Sequence, residues 1–278
     1  MNFLQQIVDN TVAAVLEKFQ PVSLAADQIA MALVDLRDTA NPVWATYRGD
    51  VPFYPASVIK LFYMVAAHQQ MEAGILKDHP ELRRAMRDMI VDSGNESTGY
   101  VIDAVTDTTS GLELPPAELA AWHEKRNVIN RYFHSHGYPE INANRKTWHE
   151  GPYGRDRQAV EQFVPARNSL TANATARLLV EIYSRRCISA ERSEQMLELM
   201  KRDVNNPDYQ AREFTAAVML PTAKVWSKAG YMSQARHDAA LVELANGWKY
   251  ALVVFTERCS DHRGIIPEFS RQVLGQVV

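Results

Sequence analysis

The first apolar rhythm along the chain is helical. Leu4, Ile7, Val8, Val12, Val15, Leu16 and Phe19 recur at helical spacing, which predicts an amphipathic helix over Leu4–Phe19. The rhythm then shortens: Gln28–Leu36 and Val43–Tyr47 are β-rich runs, and the turn-prone Asp38–Pro42 between them predicts a hairpin. Beyond Pro55 the nearly unbroken apolar stretch Val58–Ala67, with Pro55 and Ser57 as start residues, predicts a buried helix that ends near Gly74. Helical patterns follow over Glu81–Val91, Ser97–Val105, Pro116–His134, Asn173–Ser184 and Ala190–Lys201. Asn142–Asn168 interrupts them; rich in Gly, Pro, Asn and charge, it is expected as a long loop, and such loops inside a compact domain are usually functional. Strand patterns return at Lys224–Tyr231, Arg236–Leu244 and Tyr250–Glu257, with Asn246-Gly247 turning between the last two, and a helix over Pro267–Val277 closes the chain.

The order of these elements sets the expected class. Helix and strands at the start and strands with a helix at the end predict an α/β (α+β) lobe made from both termini, residues 1–56 and 216–278. An all-helical lobe, residues 57–215, is inserted between them, the whole forming a single unit of 278 residues.

Composition narrows the function classes. A formal net charge of −3 offers no basic field to gather nucleic acid, so nucleic acid is not an expected partner. No apolar run approaches the roughly 20 residues of a membrane span. The start of the chain is broken by Gln5, Gln6, Asp9 and Asn10 and lacks the pattern of a signal peptide, so a cytoplasmic protein is expected, or an exported one if a leader has been removed. Cys187 and Cys259 make no disulfide framework and read as buried free thiols. His134-Ser135-His136 lacks a third ligand at metal spacing and reads as solvated, so neither metal nor cofactor is expected. Nothing in the sequence fixes an oligomeric state.

The chemistry begins with Ser57-Val58-Ile59-Lys60. Serine is a weak nucleophile and needs a base within reach; three residues apart at a helix start, Ser57 and Lys60 stand on one face. The helix N-terminus suits a developing oxyanion, and the apolar neighbours Val58, Ile59, Leu61 and Phe62 would desolvate the lysine and lower its pKa. An S-x-x-K alone arises by chance roughly once in a chain of this length. Here it is followed by Ser93-Gly94-Asn95 at a helix start and Lys228-Ala229-Gly230 in a strand near the C-terminus, each pattern occurring once. Taken singly, the bland readings are an N-cap at Ser57, a snorkelling Lys60, a turn at Ser93-Gly94-Asn95, an exposed Lys228 and a bulge at Gly230.

In that order the three motifs resemble those of the class A β-lactamases and penicillin-binding-protein-like serine hydrolases. The likeness extends to Met89–Asn95, to Asn168-Ser169-Leu170-Thr171 with Ala176-Arg177-Leu178-Leu179, and to Asp238–Val278. The resemblance implies a β-lactamase-like (DD-peptidase-like) fold with an antiparallel sheet, and an acyl-serine mechanism on a small-molecule or peptide-like amide, ester or β-lactam. It implies Ser57 as nucleophile, Lys60 as its base, Ser93 as proton relay, and Asn95 as binder of the substrate amide. It further implies that Lys228 attracts a substrate carboxylate, that Ala229 and Gly230 line the substrate's path along the strand edge, and that the Ser57 and Tyr231 amides form the oxyanion hole.

The chain departs from the family in three places. Gly94 stands where Asp is common, Ala229 where a Thr or Ser hydroxyl is common, and no E-x-x-L-N segment supplies the deacylating glutamate. The stretch Trp148–Gly154 reads either as a rigid aromatic loop or as one bringing Glu150 or Tyr153 to the serine; Glu150 and Glu161 are the loop's acidic candidates, and neither fits the family pattern. Two functions stay open: a hydrolase that turns over an acyl-Ser57, and a binding or sensor module that keeps the fold without turnover. The missing glutamate motif supports the second.

Overall fold

The computed structural model describes residues 3–148, 150–206 and 214–278. In chain order its elements are α1 (Phe3–Phe19), β1 (Ile29–Asp35), β2 (Val43–Tyr47), α2 (Lys60–Glu72), α3 (Pro80–Ile90), α4 (Asn95–Thr106), α5 (Pro116–Arg126) and α6 (Val128–Ser135). There follow α7 (Gly154–Gln162), α8 (Ala172–Tyr183), α9 (Ala190–Met200), β3 (Lys201–Arg202), β4 (Lys224–Met232), β5 (Ala235–Glu243), β6 (Lys249–Glu257) and α10 (Ile265–Val277). The chain divides into two compact units, Met1–Val58 with Thr171–Val278, and Ile59–Leu170.

The first unit is built on one antiparallel sheet in the order β2-β1-β6-β5-β4-β3. Every residue of β1 is buried, which in an antiparallel sheet requires cover on both faces. On one face α1 and α10 pack together, setting Ile7, Val12 and Phe269 against the alternate sheet residues Ile29, Met31, Leu252 and Val254. Burying such a side chain is worth about 1.5–3 kcal/mol, so this seam carries much of the unit's stability. The other face, with Ala30, Ala32, Ala251 and Val253, is lined by smaller residues and receives α8.

The second unit packs α3, α4 and α6 around α2, whose residues from Lys60 to Ala67 are all buried. Phe62 meets Phe133 at a ring separation of 4.8 Å and Tyr138 at 6.1 Å. Such a helix has no polar face, which is why its hydrophobic run reads as continuous.

Four features differ from the sequence expectation. The sheet unit takes in α8 and α9, because α8 packs on β1, β5 and β6; the helical insertion therefore ends at Leu170 and not at 215. The expected helix Pro116–His134 is two helices, broken at Asn127, whose side chain accepts hydrogen bonds from Asn130 and Asn144 and so competes with helix continuation. The loop Asn142–Asn168 contains α7, whose buried face is short, Asp156 and Ala159. Finally, the two-residue β3 is too brief to leave a pattern.

Candidate active site

In the first unit Ser57 lies half-buried in the 3₁₀ turn Ala56–Ile59, which runs directly into α2. Ala56 before it is held at φ +45°, a left-handed conformation that costs an ordinary residue about 1–2 kcal/mol and persists only where the surroundings fix it. Those surroundings are on β4. A Cβ added to Gly230 would fall 2.8 Å from Pro55 O and Ser57 N and 2.9 Å from Val58 N, so only glycine lets this strand approach the serine's backbone. The next residue, Tyr231, is over half exposed, and its ring lies 6.1 Å from that of Phe214.

On its outer edge β4 pairs with β3 only at Val225 and Trp226. Among the described residues no strand pairs with that edge over Lys228–Met232. Lys228 is 3% exposed and its Nζ donates to Ala229 O at 2.8 Å; Ala229 is half-buried opposite Asp238.

In the second unit Lys60 is fully buried at the first turn of α2. Its Nζ donates to Ser93 O at 2.6 Å, Asn95 Oδ1 at 2.9 Å, and Ser93 Oγ and Gly94 O at 3.3 Å. Ser93, at φ +58°, turns its carbonyl onto the lysine, and α4 begins two residues later. Burial pushes the Lys60 ammonium down to about 7, against the opposing pull of the exposed Glu96 carboxylate. In the neutral amine two N–H groups remain, enough for the two short contacts, and the lone pair is left for a hydroxyl proton. Thr147, on the segment leading to α7, donates from Oγ1 to Asn95 Oδ1 at 2.9 Å. With Lys60 on the same oxygen, the Asn95 amide is held in one orientation, its N–H₂ directed away from both donors.

The structure thus brings Lys60, Ser93 and Asn95 into one hydrogen-bonded cluster and Gly230 against Ser57. Glu150 is exposed and makes no hydrogen bond or ion pair with another described residue, and Glu161 is exposed on α7. His149, within the aromatic stretch singled out above, lies outside the described residues; Trp148 and Tyr153 meet edge to face at 5.4 Å. Thr147 and His237, which bonds the backbone ahead of Ser57, carry no sequence signal: a lone threonine and a strand histidine belong to no motif, and only their partners mark them. Among the described residues no three His, Cys, Asp or Glu side chains gather as a metal would require, and no helix is long and apolar enough to cross a membrane.

The profile of the Beta-lactamase enzyme family matches residues 9–95 and 76–277, and the chain belongs to that family. A beta-lactamase from Chitinophaga pinensis is similar at a TM-score of 0.70 and 19% identity, over 97% of this chain and 100% of the other. A beta-lactamase from Sphaerobacter thermophilus aligns at 0.68 and 18%, over 95% of each chain. A variant of PBP-A, solved as an acyl-enzyme complex with penicillin G, aligns at 0.65 and 17%, over 97% of this chain and 96% of that one. These likenesses establish the β-lactamase fold. No curated protein matches the chain.

Proposed function

We propose that this protein is a serine hydrolase that forms an acyl intermediate on Ser57 from an amide, ester or β-lactam. The observation that carries the reading is the buried Lys60, with Nζ on Ser93 and Asn95 and an ammonium depressed to about 7. A lysine in that state is a usable general base at neutral pH, and Ser57 precedes it by three residues along one helical run. In the proposed reaction Ser57 Oγ attacks the substrate carbonyl and its proton passes to neutral Lys60. The tetrahedral oxyanion is met by the Ser57 and Tyr231 amides, and Ser93 delivers its proton to the leaving nitrogen or oxygen as the bond to carbon breaks while taking the Ser57 proton back from Lys60, which is neutral again. Asn95 orients the substrate amide, and Lys228 supplies positive charge for a substrate carboxylate. Water then attacks the ester and frees Ser57.

The second step is the slow one with β-lactams. No E-x-x-L-N segment exists and Glu150 is exposed, so the usual glutamate that activates the deacylating water is missing. Loss of a placed general base costs roughly 10²–10⁴-fold in rate. The same observation favours a second reading, a sensor that acylates and does not turn over.

Intact-mass analysis after incubation with a fluorophosphonate and with penicillin G tests both readings. The expected result is a single adduct mapping to Ser57, lost in Ser57→Ala, with the penicillin adduct persisting under excess substrate. Labelling that survives in S57A overturns the nucleophile. Steady turnover of an activated ester separates the hydrolase from the sensor, which would give one burst and stop.

A further inference from the structure

His237 is a fully buried titratable group on the strand beside Gly230 that the proposed chemistry leaves unused. It lies on β5 directly opposite Gly230, with 0% exposure, among Phe53 and Phe255 at ring separations of 6.5 and 4.8 Å. Both ring nitrogens are engaged. Thr256 N donates to Nδ1 at 3.1 Å, so Nδ1 is the acceptor, the proton sits on Nε2, and Nε2 donates to Tyr54 O at 2.8 Å. Burial holds the ring neutral by pushing its pKa down to about 4, which fixes this donor–acceptor assignment at neutral pH.

Three consecutive residues before the serine are thereby docked on the sheet. The Phe53 ring is packed on His237 and Phe255, the Tyr54 carbonyl takes the Nε2 proton, and Pro55 O lies against Gly230. The left-handed Ala56 then turns the chain into Ser57. A segment held at Tyr54 and at Pro55 leaves the serine little freedom, whereas one held only at Pro55 could pivot about the Gly230 contact. We infer that His237 is a positioning residue for the acylation step: its Nε2–H clamps the Tyr54 carbonyl and so sets the pose of Ser57 and its amide. The inference rests on the reading of Ser57 as the nucleophile.

Two substitutions divide the clamp from simple packing. His237→Asn places a carbonyl oxygen where Nδ1 stands, keeping the bond from Thr256 and losing the donor to Tyr54. His237→Gln places an amide N–H where Nε2 stands, keeping the clamp and losing the acceptor. Labelling by a fluorophosphonate, followed by intact mass with kinact and KI resolved and thermal unfolding in parallel, reads both. The expected result is a fall in kinact of about tenfold or more in H237N with KI little changed, and kinact within about threefold of wild type in H237Q. If H237N does not fold, the H237Q rate decides alone: a folded H237Q that labels tenfold more slowly overturns the clamp. A folded H237N that labels Ser57 at the wild-type rate overturns it equally. Absence of any Ser57 adduct on the wild-type chain overturns the proposed function, and this inference with it.

Discussion

Acylation should follow the titration of Lys60. The structure removes its ammonium from water, and the Glu96 carboxylate offsets this only in part, so the group comes from an ordinary 10.5 down to about 7. With a midpoint near 7, about one Lys60 in ten is neutral at pH 6 and about nine in ten at pH 8. The acylation rate constant should therefore rise about tenfold between those values and level off above them. An unshifted lysine would give a different profile, climbing about tenfold per unit through pH 9 with no plateau.

The assay is single-turnover labelling of Ser57 by a fluorophosphonate, quenched over time and counted by intact mass, in buffers of constant ionic strength from pH 5.5 to 9.5. Two variants tie the limb to the residue. Glu96→Gln removes the charge that favours the ammonium, so its limb should move to lower pH, and high salt should shrink the difference because Glu96 is exposed. Lys60→Arg keeps the positive charge and cannot give up its proton, so acylation should fall roughly 10²–10⁴-fold in a chain that still folds. A wild-type profile flat from pH 6 to 9, or one still rising tenfold per unit at pH 9, would refute the assignment of Lys60 as base.

Further expectations follow from single contacts. Gly230→Ala puts a methyl 2.8 Å from Pro55 O and Ser57 N, so the Ser57 turn must move; labelling should slow on the order of a hundredfold, with about 1–3 kcal/mol lost in urea unfolding, and wild-type labelling by a stable G230A would discount the close approach. Asn168→Ala removes three hydrogen bonds, from Arg145 N and to Arg145 O and Tyr63 Oη, at a buried site. Urea unfolding should register about 2–3 kcal/mol of lost stability, and a loss below 0.5 kcal/mol would mean that these bonds do not anchor the segment between α6 and α8.

The α+β class was legible in the sequence because its cause is local. The unbroken β-rich run of Ile29–Asp35, covered on both faces, and the period near 3.6 in α1, covered on one, can each be read within about 20 residues. The extent of α2 was equally plain, since a helix covered all round leaves an apolar run. The lobe boundary was not legible: α8 carries an amphipathic pattern that suits a helix bundle and a sheet face alike, and only its contacts assign it. α7 was missed for a related reason, since two buried positions, one of them Asp156, make no apolar stripe.

The candidate site divides along the same line. Apolar neighbours at Val58, Ile59, Leu61 and Phe62 sufficed to predict a desolvated lysine, because they are bonded to it or one residue away. What the amine touches came from 33 to 35 residues further on, and two of its four acceptors are backbone carbonyls, of Ser93 and Gly94. A peptide carbonyl is the same in every residue, so no side-chain pattern announces it; Ser93 presents its own only because φ +58° turns it toward the lysine. His237 and Tyr54 O, 183 residues apart, are the extreme case. A motif search finds side chains that do chemistry. The groups that hold those side chains in place are largely backbone atoms brought together by the fold, so what positions Ser57 is not written in the four residues that name it as a candidate.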